Sequence, residues 1–491
     1  MAPYLRYASP AGRWVLLATV LGSSLASVDA TVVNLALPRI ANDLGAGLSD
    51  LQWIVNAYTL TLAAFLLLGG SLGDRFGRRR TFVIGVVWFT AASVLCALAQ
   101  TAALLIAARA LQGCGAALLV PGSLAILEAT FDPDDRSAAI GSWSGLGGVA
   151  VAIGPFLGGW LVQAASWRLI FIINVPLAIA VVWIALRHVP ETRDPHADTA
   201  LDAPGTALAA LGLAGVTYAL TEASDRGWRS PLVLATGAGG ALALIAMGAI
   251  QVRSRHPMLP SSLFRSRQFV VANLVTLIVY AALGGSIFLL PVALQRVVGL
   301  SPLQAGAALA PVTVIMLVLS ARSGRLAQRI GPRVPMAVGP LVAGSGLALL
   351  THVGVGSSYA RDVLPAIVVF GLGLSLTVAP LTSTVLSAVG EEQAGIASAF
   401  NNAVSRVAGL IAVAALPSLA GLTAGALRDP AGLAAGFRVA MRNTAGLCMA
   451  GGVVAAFTIR NPKRGPRPVA AAHHCALDAT PLRGNARLPG V

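Results

Sequence analysis

The chain has 491 residues, 56% of them hydrophobic and only 11% charged, with a mean hydropathy of +0.79. Soluble domains carry roughly 25% charged residues, so the composition excludes a soluble enzyme or binding module and describes an integral membrane protein. The formal charge of +15 does not argue for nucleic acid as a partner, because every basic residue except Lys463 is Arg, as a GC-rich coding bias produces, and its placement matters more than its sum.

Apolar stretches of about 18–25 residues recur along the chain, the length at which a helix rising 1.5 Å per residue crosses a hydrocarbon core of roughly 30 Å. In chain order the windows predict spans at 14–37, 51–72, 81–99, 103–128, 138–163, 168–186, 202–222, 231–251, 269–294, 303–321, 334–351, 362–389, 396–420 and 436–459. A transmembrane barrel is excluded, since its strands of about ten residues alternate polar and apolar. The first window follows Arg6 and Arg13, in the manner of a signal peptide. Its apolar run of about 23 residues exceeds an h-region of 7–15, which predicts an uncleaved first span. Fourteen spans put both termini on one side. Of the 34 basic residues, 23 fall on that side and 9 on the other, while Arg109 and Arg406 lie within spans. Positive loops stay inside, so both termini are expected in the cytoplasm.

The four Cys (Cys96, Cys114, Cys448, Cys475) have no paired spacing and the six His are scattered, so neither a disulfide framework nor a metal site is expected. "HHC" at 473–475 has ligand chemistry but sits in an Arg/Pro/Ala-rich tail. No P-loop ending in Gly-Lys-Ser/Thr is present, which argues against a pump driven by ATP.

An internal repeat organises the chain. "GSLGDRFGR" at 70–78 follows the second window and "GRLAQRIGP" at 324–332 follows the tenth, sharing G-x-L-x-x-R-x-G at an offset of 254 residues. Repeated halves are a feature of secondary transporters. Removing 198–252, which holds the seventh and eighth windows, leaves an offset suited to six spans with loops. The expected organisation is a six-helix bundle over 1–197, an inserted helix pair over 198–252, a second six-helix bundle over 253–460 and a disordered cytoplasmic tail over 461–491.

In the first copy Gly70, Leu72, Asp74, Arg75, Gly77, Arg78 and Arg79 resemble the G-x-L-x-D-R-x-G-R-[KR] signature between spans two and three of the major facilitator superfamily. Three further segments resemble its 14-span drug:proton antiporters. "VDATVVNLALP" (28–38) is similar to the first-span motif L-D-x-T-[IV]-V-N-x-A-L-P, with Val28 in place of Leu. "RALQGCGAA" (109–117) is similar to the fourth-span R-x-x-Q-G-x-G-x-A, and "AVAIGPFLGG" (150–159) to the fifth-span G-x-x-x-G-P-x-x-G-G, with Ala150 replacing its first Gly. "WRLIFIINVP" (167–176) and "GIASAFNNAVSRVAG" (395–409) also look like family segments. The resemblance implies an all-α integral membrane protein of the major facilitator fold, in a bacterial plasma membrane.

Asp29 is the acid that needs explaining. A carboxylate at the centre of an inserted helix costs roughly 2.5–3.5 kcal/mol on insertion scales, so it should face a partner or polar cavity, and such residues mark proton or substrate paths. Burial and a nearby cation act oppositely on a carboxyl's proton affinity, which lets such a group exchange a proton as its surroundings alternate. Asp29 lies nine residues inside Pro38, and Arg109 lies about six residues inside the same face on an antiparallel span. Their depths then differ by only about 5 Å. The spacing nominates Asp29 as proton carrier and Arg109 as the group that tunes it; a purely structural ion pair is the alternative. In the family, spans one and four both line the central cavity.

Thr31, Asn34 and Gln112 are nominated for the substrate cavity, although hydroxyls and amides also serve helix packing. Gly154, Pro155, Gly158 and Gly159 remove side chains and one N–H, so the fifth span can bend and pack closely; the family associates this segment with exchange and cavity sealing. Gly70, Asp74, Arg75, Gly77 and Arg78, with Glu391, Glu392 and Arg406, are expected to form a latch between halves that breaks as they rock, with Asp74 docking on a helix N-terminus or on an Arg of the other half. Arg406 is expected at the rocking interface rather than at the substrate. Gln328 takes the place of Asp74 in the second copy, so a charged latch is not expected there. Glu128, Glu222 and Asp225 read as interfacial or solvated acids.

The leading functional reading is a proton-coupled antiporter exporting amphipathic small molecules such as drugs, antibiotics or secondary metabolites by alternating access. It needs no cofactor beyond the proton gradient, has protons and lipid bilayer as its other partners, and is expected to act as a monomer. The scarcity of further membrane acids favours neutral, weakly charged or monocationic substrates. A metabolite symporter of the same fold is the second reading. A polytopic membrane enzyme is the third, and the scattered His weigh against it.

Overall fold

In the computed structural model the described residues are 4–194, 202–254, 260–390, 393–422, 425, 427 and 429–461. Fourteen helices among them are long and apolar enough to cross a membrane. Spans 1 to 6 are Pro10–Leu44, Leu48–Phe76, Arg78–Leu98, Ala102–Thr130, Pro133–Ala164 and Leu169–His188. Spans 7 and 8 are Ala203–Arg226 and Pro231–Arg253. Spans 9 to 14 are Arg267–Arg296, Pro302–Ile330, Arg333–His352, Tyr359–Ser387, Gly395–Leu419 and Pro430–Thr458.

The main departures from the sequence windows occur where proline or charge was read as a stop. Span 1 begins behind Ser9, whose Oγ accepts from the Gly12 N–H at 3.0 Å, and ends at left-handed Gly45 (φ 63°), passing straight through Pro38. Proline inside a membrane helix frees the carbonyl four residues back, here that of Asn34, and span 9 braces the helix around it. Gln295 Nε2 donates to the Leu35 carbonyl at 3.0 Å, and Arg296 Nη2 donates to that of Pro38 at 2.9 Å. Span 10 runs on past Arg322 and Arg325 to Ile330, and span 6 is interrupted at Ile173.

The two sets of six spans pack in the same pattern. Span 2 lies on span 4, 3 on 4, 1 on 5, 3 on 6 and 1 on 6; the matching pairs are 10 on 12, 11 on 12, 9 on 13, 11 on 14 and 9 on 14. Spans 7 and 8 pack on each other, with span 7 lying against spans 2 and 13.

The halves meet along two seams related by the same repeat, span 5 with span 10 and span 2 with span 13, and along spans 1 and 9. Their tightest contacts lie on the face away from the termini, here the far face. A Cβ on Gly159 would stand 2.7 Å from the Pro302 carbonyl oxygen, and one on Gly306 would stand 2.3 Å from that of Pro155. At the second seam Gln52 Nε2 donates to the carbonyls of Val413 (2.7 Å) and Ala414 (2.9 Å). Toward the terminal face span 5 is uncovered: Gly141, Gly145, Gly147 and Gly148 have no neighbour within 4 Å of a Cβ position, and Leu146 and Val149 are exposed. The molecule is sealed on the far face and parted along spans 5 and 10 below it.

Candidate functional site: a buried ion pair beside a central cavity

Five spans of the first half converge on Asp29. Its carboxylate forms an ion pair with Arg109 Nη1, and both side chains are 1% exposed. Gln112, one helical turn beyond Arg109, donates from Nε2 to Asp29 Oδ1 at 2.8 Å and accepts from Arg109 Nη1 at 2.6 Å. The i, i+3 spacing places both side chains on one face of span 4, so one helix supplies the cation and the amide. Asn174, just beyond the break in span 6, reaches Asp29 Oδ1 at 3.4 Å and Ser93 Oγ of span 3 at 3.2 Å. Ser93 also accepts from Gln112 Nε2 at 2.8 Å. Arg109 Nε donates to the Ile54 carbonyl of span 2 at 3.1 Å, and its guanidinium lies 4.3 Å from the centre of the Tyr58 ring.

A buried ion pair is tolerated when hydrogen bonds satisfy the remaining donors and acceptors. Here both carboxylate oxygens have donors and the guanidinium has two acceptors besides Asp29. The cluster can hold charge in the membrane, and removing one member strands another.

Beside this cluster a cavity of about 470 Å³ separates the halves, lined by spans 1, 2, 9 and 13. Thr31 and Asn34 line it, as nominated from the sequence. Gln112 does not: it is fully buried in the Asp29 cluster. Arg406, expected at the rocking interface, lines the cavity from the middle of span 13, because the face of that helix carrying Asn402, Ser405 and Gly409 turns inward.

The signature turn is tied within its own half. Asp74 pairs with Arg78 one turn on (Oδ1 to Nη2, 2.7 Å) rather than with an Arg of the second half. The N-terminus of span 3 is capped by Glu191, which accepts from the N–H groups of Arg79 (3.1 Å) and Arg80 (3.2 Å). Gly77 is required at this turn: its φ is 113°, and a Cβ would stand 2.6 Å from Glu191 Oε1. Gly70 makes no such approach; its neighbour Gly69 does, against the Ala117 carbonyl of span 4. Arg75 lies with its guanidinium 5.0 Å from the Phe76 ring centre. Glu391 and Glu392 lie outside the described residues.

Span 5 uses its glycines in two directions. Gly154 and Gly158 face Thr31 and Val32 of span 1, while Gly159 faces Pro302 and Leu303 of span 10. Ser93, Tyr58, Asn174 and Glu191 escaped the sequence reading. Only Asn174 carried a signal, as the polar residue in "IINVP" ahead of Pro176. No group of three or more His, Cys, Asp or Glu that could hold a metal occurs among the described residues.

Two repeated six-span halves, a sealed far face and a charged cluster beside a central cavity define a membrane transporter rather than an enzyme. Residues 19–413 match the family model of the Major Facilitator Superfamily, and the chain belongs to that family. It is 35% identical over 408 residues to the methylenomycin A resistance protein of Bacillus subtilis (strain 168), covering 83% of this chain and 87% of that one. It is 36% identical over 423 residues to a puromycin resistance protein of Streptomyces alboniger, covering 85% and 84% respectively. A solved bacterial homologue of the human lysosomal transporter Spinster, in an inward-facing and unoccupied conformation, shares the fold at a TM-score of 0.66 and 17% identity, over 93% of this chain and all of that one.

Proposed function

We propose that the protein exports amphipathic small molecules of the antibiotic or drug type from the bacterial cytoplasm across the plasma membrane, with both termini cytoplasmic, in exchange for protons. The observation that carries the coupling is the buried Asp29 carboxylate, held by Arg109 and Gln112 two residues from the cavity-lining Thr31. The names of its relatives support the direction: resistance proteins for methylenomycin A and puromycin, and a tetracenomycin C resistance and export protein.

The coupling follows from the contacts. Protonating Asp29 removes the negative partner of Arg109 and loosens span 1 from span 4. Span 1 also carries Val32, against which Gly158 of span 5 packs, and the next residue, Gly159, is part of the far-face seal. A shift of span 1 is thereby passed to the span 5 and span 10 seam. Substrate entering the cavity from the cytoplasm and a proton arriving from outside then compete to set which face is closed. Each positive charge entering down 100 mV contributes about 2.3 kcal/mol to export.

Everted vesicles from an efflux-deficient host, given an inward-acid proton gradient, should accumulate a fluorescent amphiphile, and Asp29→Asn should abolish that gradient dependence. Accumulation by Asp29→Asn at the wild-type rate would refute the assignment. Movement of the dye out of the vesicles would instead favour the symporter.

A further inference from the structure

The cavity between the halves carries one formal charge, and it is positive. Among its lining residues only Arg406 is charged; the polar remainder are hydroxyls and amides, and no carboxylate faces it. Arg406 makes no ion pair or hydrogen bond with any described residue, and the one phenol that lines the cavity is Tyr280. Asp29 is committed to Arg109, Gln112 and Asn174 inside the first half and is not a counter-ion for it.

A second group also points to a ligand. Asn56 of span 2 lines the same cavity, is fully buried, and neither atom of its amide has a hydrogen-bond partner among the described residues. The side-chain Oδ1 of Asn34 is likewise unpaired. Buried amides without partners are rare, because leaving one unsatisfied is unfavourable. Leu283, Ile287 and Phe288 supply an apolar wall beside them.

From this arrangement we infer that the cavity binds amphipathic organic anions, with a carboxylate or similar planar acid group on the Arg406 guanidinium, the Asn56 amide donating to it, and the apolar body against span 9. Guanidinium matches a carboxylate with two parallel N–H bonds, and in a membrane cavity an unpaired cation disfavours a second cation. The inference rests on the export reading above and narrows it: of the neutral, weakly charged or monocationic substrates that the acid-poor spans favoured, the monocations are disfavoured by Arg406.

The test uses full-length protein in nanodiscs and three isosteric probes, 2-naphthoate, 2-naphthamide and 2-naphthylmethylammonium, with binding measured by calorimetry. Naphthoate should bind at least about tenfold more tightly than the amide, the scale of a charge-assisted hydrogen bond, and the ammonium should bind most weakly. Arg406→Gln should erase that order while Arg406→Lys keeps the order at lower affinity, and Asn56→Leu should weaken naphthoate and, less, the amide while leaving the ammonium unchanged. Equal binding of the three, binding of none, or an order that survives Arg406→Gln overturns the inference. Proton-driven movement of ethidium in proteoliposomes of the same protein, without a naphthoate preference in the nanodiscs, would overturn it while leaving the export reading standing. A naphthoate preference without proton-driven movement of any amphiphile would do the reverse.

Discussion

The two halves repeat one packing pattern with different electrostatics. In the first, the third span is capped by an acid, Glu191, and Asp29 and Arg109 form a buried ion pair. In the second, the equivalent cap is neutral: Asn461 Oδ1 accepts from the Arg333 N–H at 3.1 Å beside Gly331 (φ 90°), as Glu191 does beside Gly77. The polar cluster there is neutral as well, with Asn401 Nδ2 donating to Asn273 Oδ1 (3.0 Å) and Thr276 Oγ1 (2.8 Å). Arg406 stands apart from that cluster, facing the cavity. Backbone architecture is thus duplicated while charge is divided: the first half holds a compensated pair, and the second presents a single cation.

The largest effect should come from breaking the compensated pair. Arg109→Ala leaves the buried Asp29 without its cation, and losing one partner of a buried pair costs about 3–5 kcal/mol. The expected result is little folded protein, read as loss of a monodisperse peak in detergent. Asp29→Asn with Arg109→Gln should recover the folded yield and show no proton-dependent transport. Recovery of transport as well would reduce the pair to a structural role. The matching change in the second half, Arg406→Gln, removes no partner and should leave the folded yield unchanged.

Much of this site was legible in the sequence because membrane insertion penalises charge so strongly. An acid and an arginine within apolar spans had few permitted positions, and the depth of each followed from helix rise. Direction around the helix axis was less legible. Gln112, nominated for the cavity, packs instead into the Asp29 cluster, and Arg406, expected where the halves meet, faces the cavity between them; span 4 carries too few polar residues for its polar face to be read from the sequence. Polar residues that complete the cluster were harder still. Ser93 looks like any small membrane serine, and the role of Asn174 depends on a break in span 6 that brings its amide to Asp29. The Glu191 cap joins positions 112 residues apart, and short-range pattern is blind to that separation.

A smaller effect is expected at the two seams of the far-face seal, which differ as the halves do. The span 5 and span 10 seam is steric, with Gly159 against the Pro302 backbone; the span 2 and span 13 seam relies on two hydrogen bonds from Gln52. Gly159→Leu cannot be accommodated without moving span 10, so it should favour an unsealed far face, seen as faster amide exchange over 302–308 and transport reduced at least about tenfold, equivalent to 1.4 kcal/mol. Gln52→Leu removes bonds worth about 0.5–1.5 kcal/mol each and leaves two carbonyls that still belong to the helix of span 13, so its effect should be several-fold smaller. Equal effects would mean that the seams share load, contrary to the division drawn above.

The smallest expected difference separates the two caps. Glu191→Ala and Asn461→Ala each remove a side chain that accepts backbone N–H bonds at the start of a third span, a loss of about 0.5–2 kcal/mol. Glu191 also brings negative charge to a helix N-terminus, which adds about 0.3–1 kcal/mol at low salt, and it lies 3.7 Å from Arg79 Nε. Thermal unfolding in detergent should therefore show the larger loss for Glu191→Ala in low salt. The gap should close as salt rises, because both caps sit at the surface where charge is screened over about 10 Å at 0.1 M. A gap independent of salt would mean that Glu191 acts through its two hydrogen bonds alone, and the charge asymmetry between the halves would then be confined to the membrane interior.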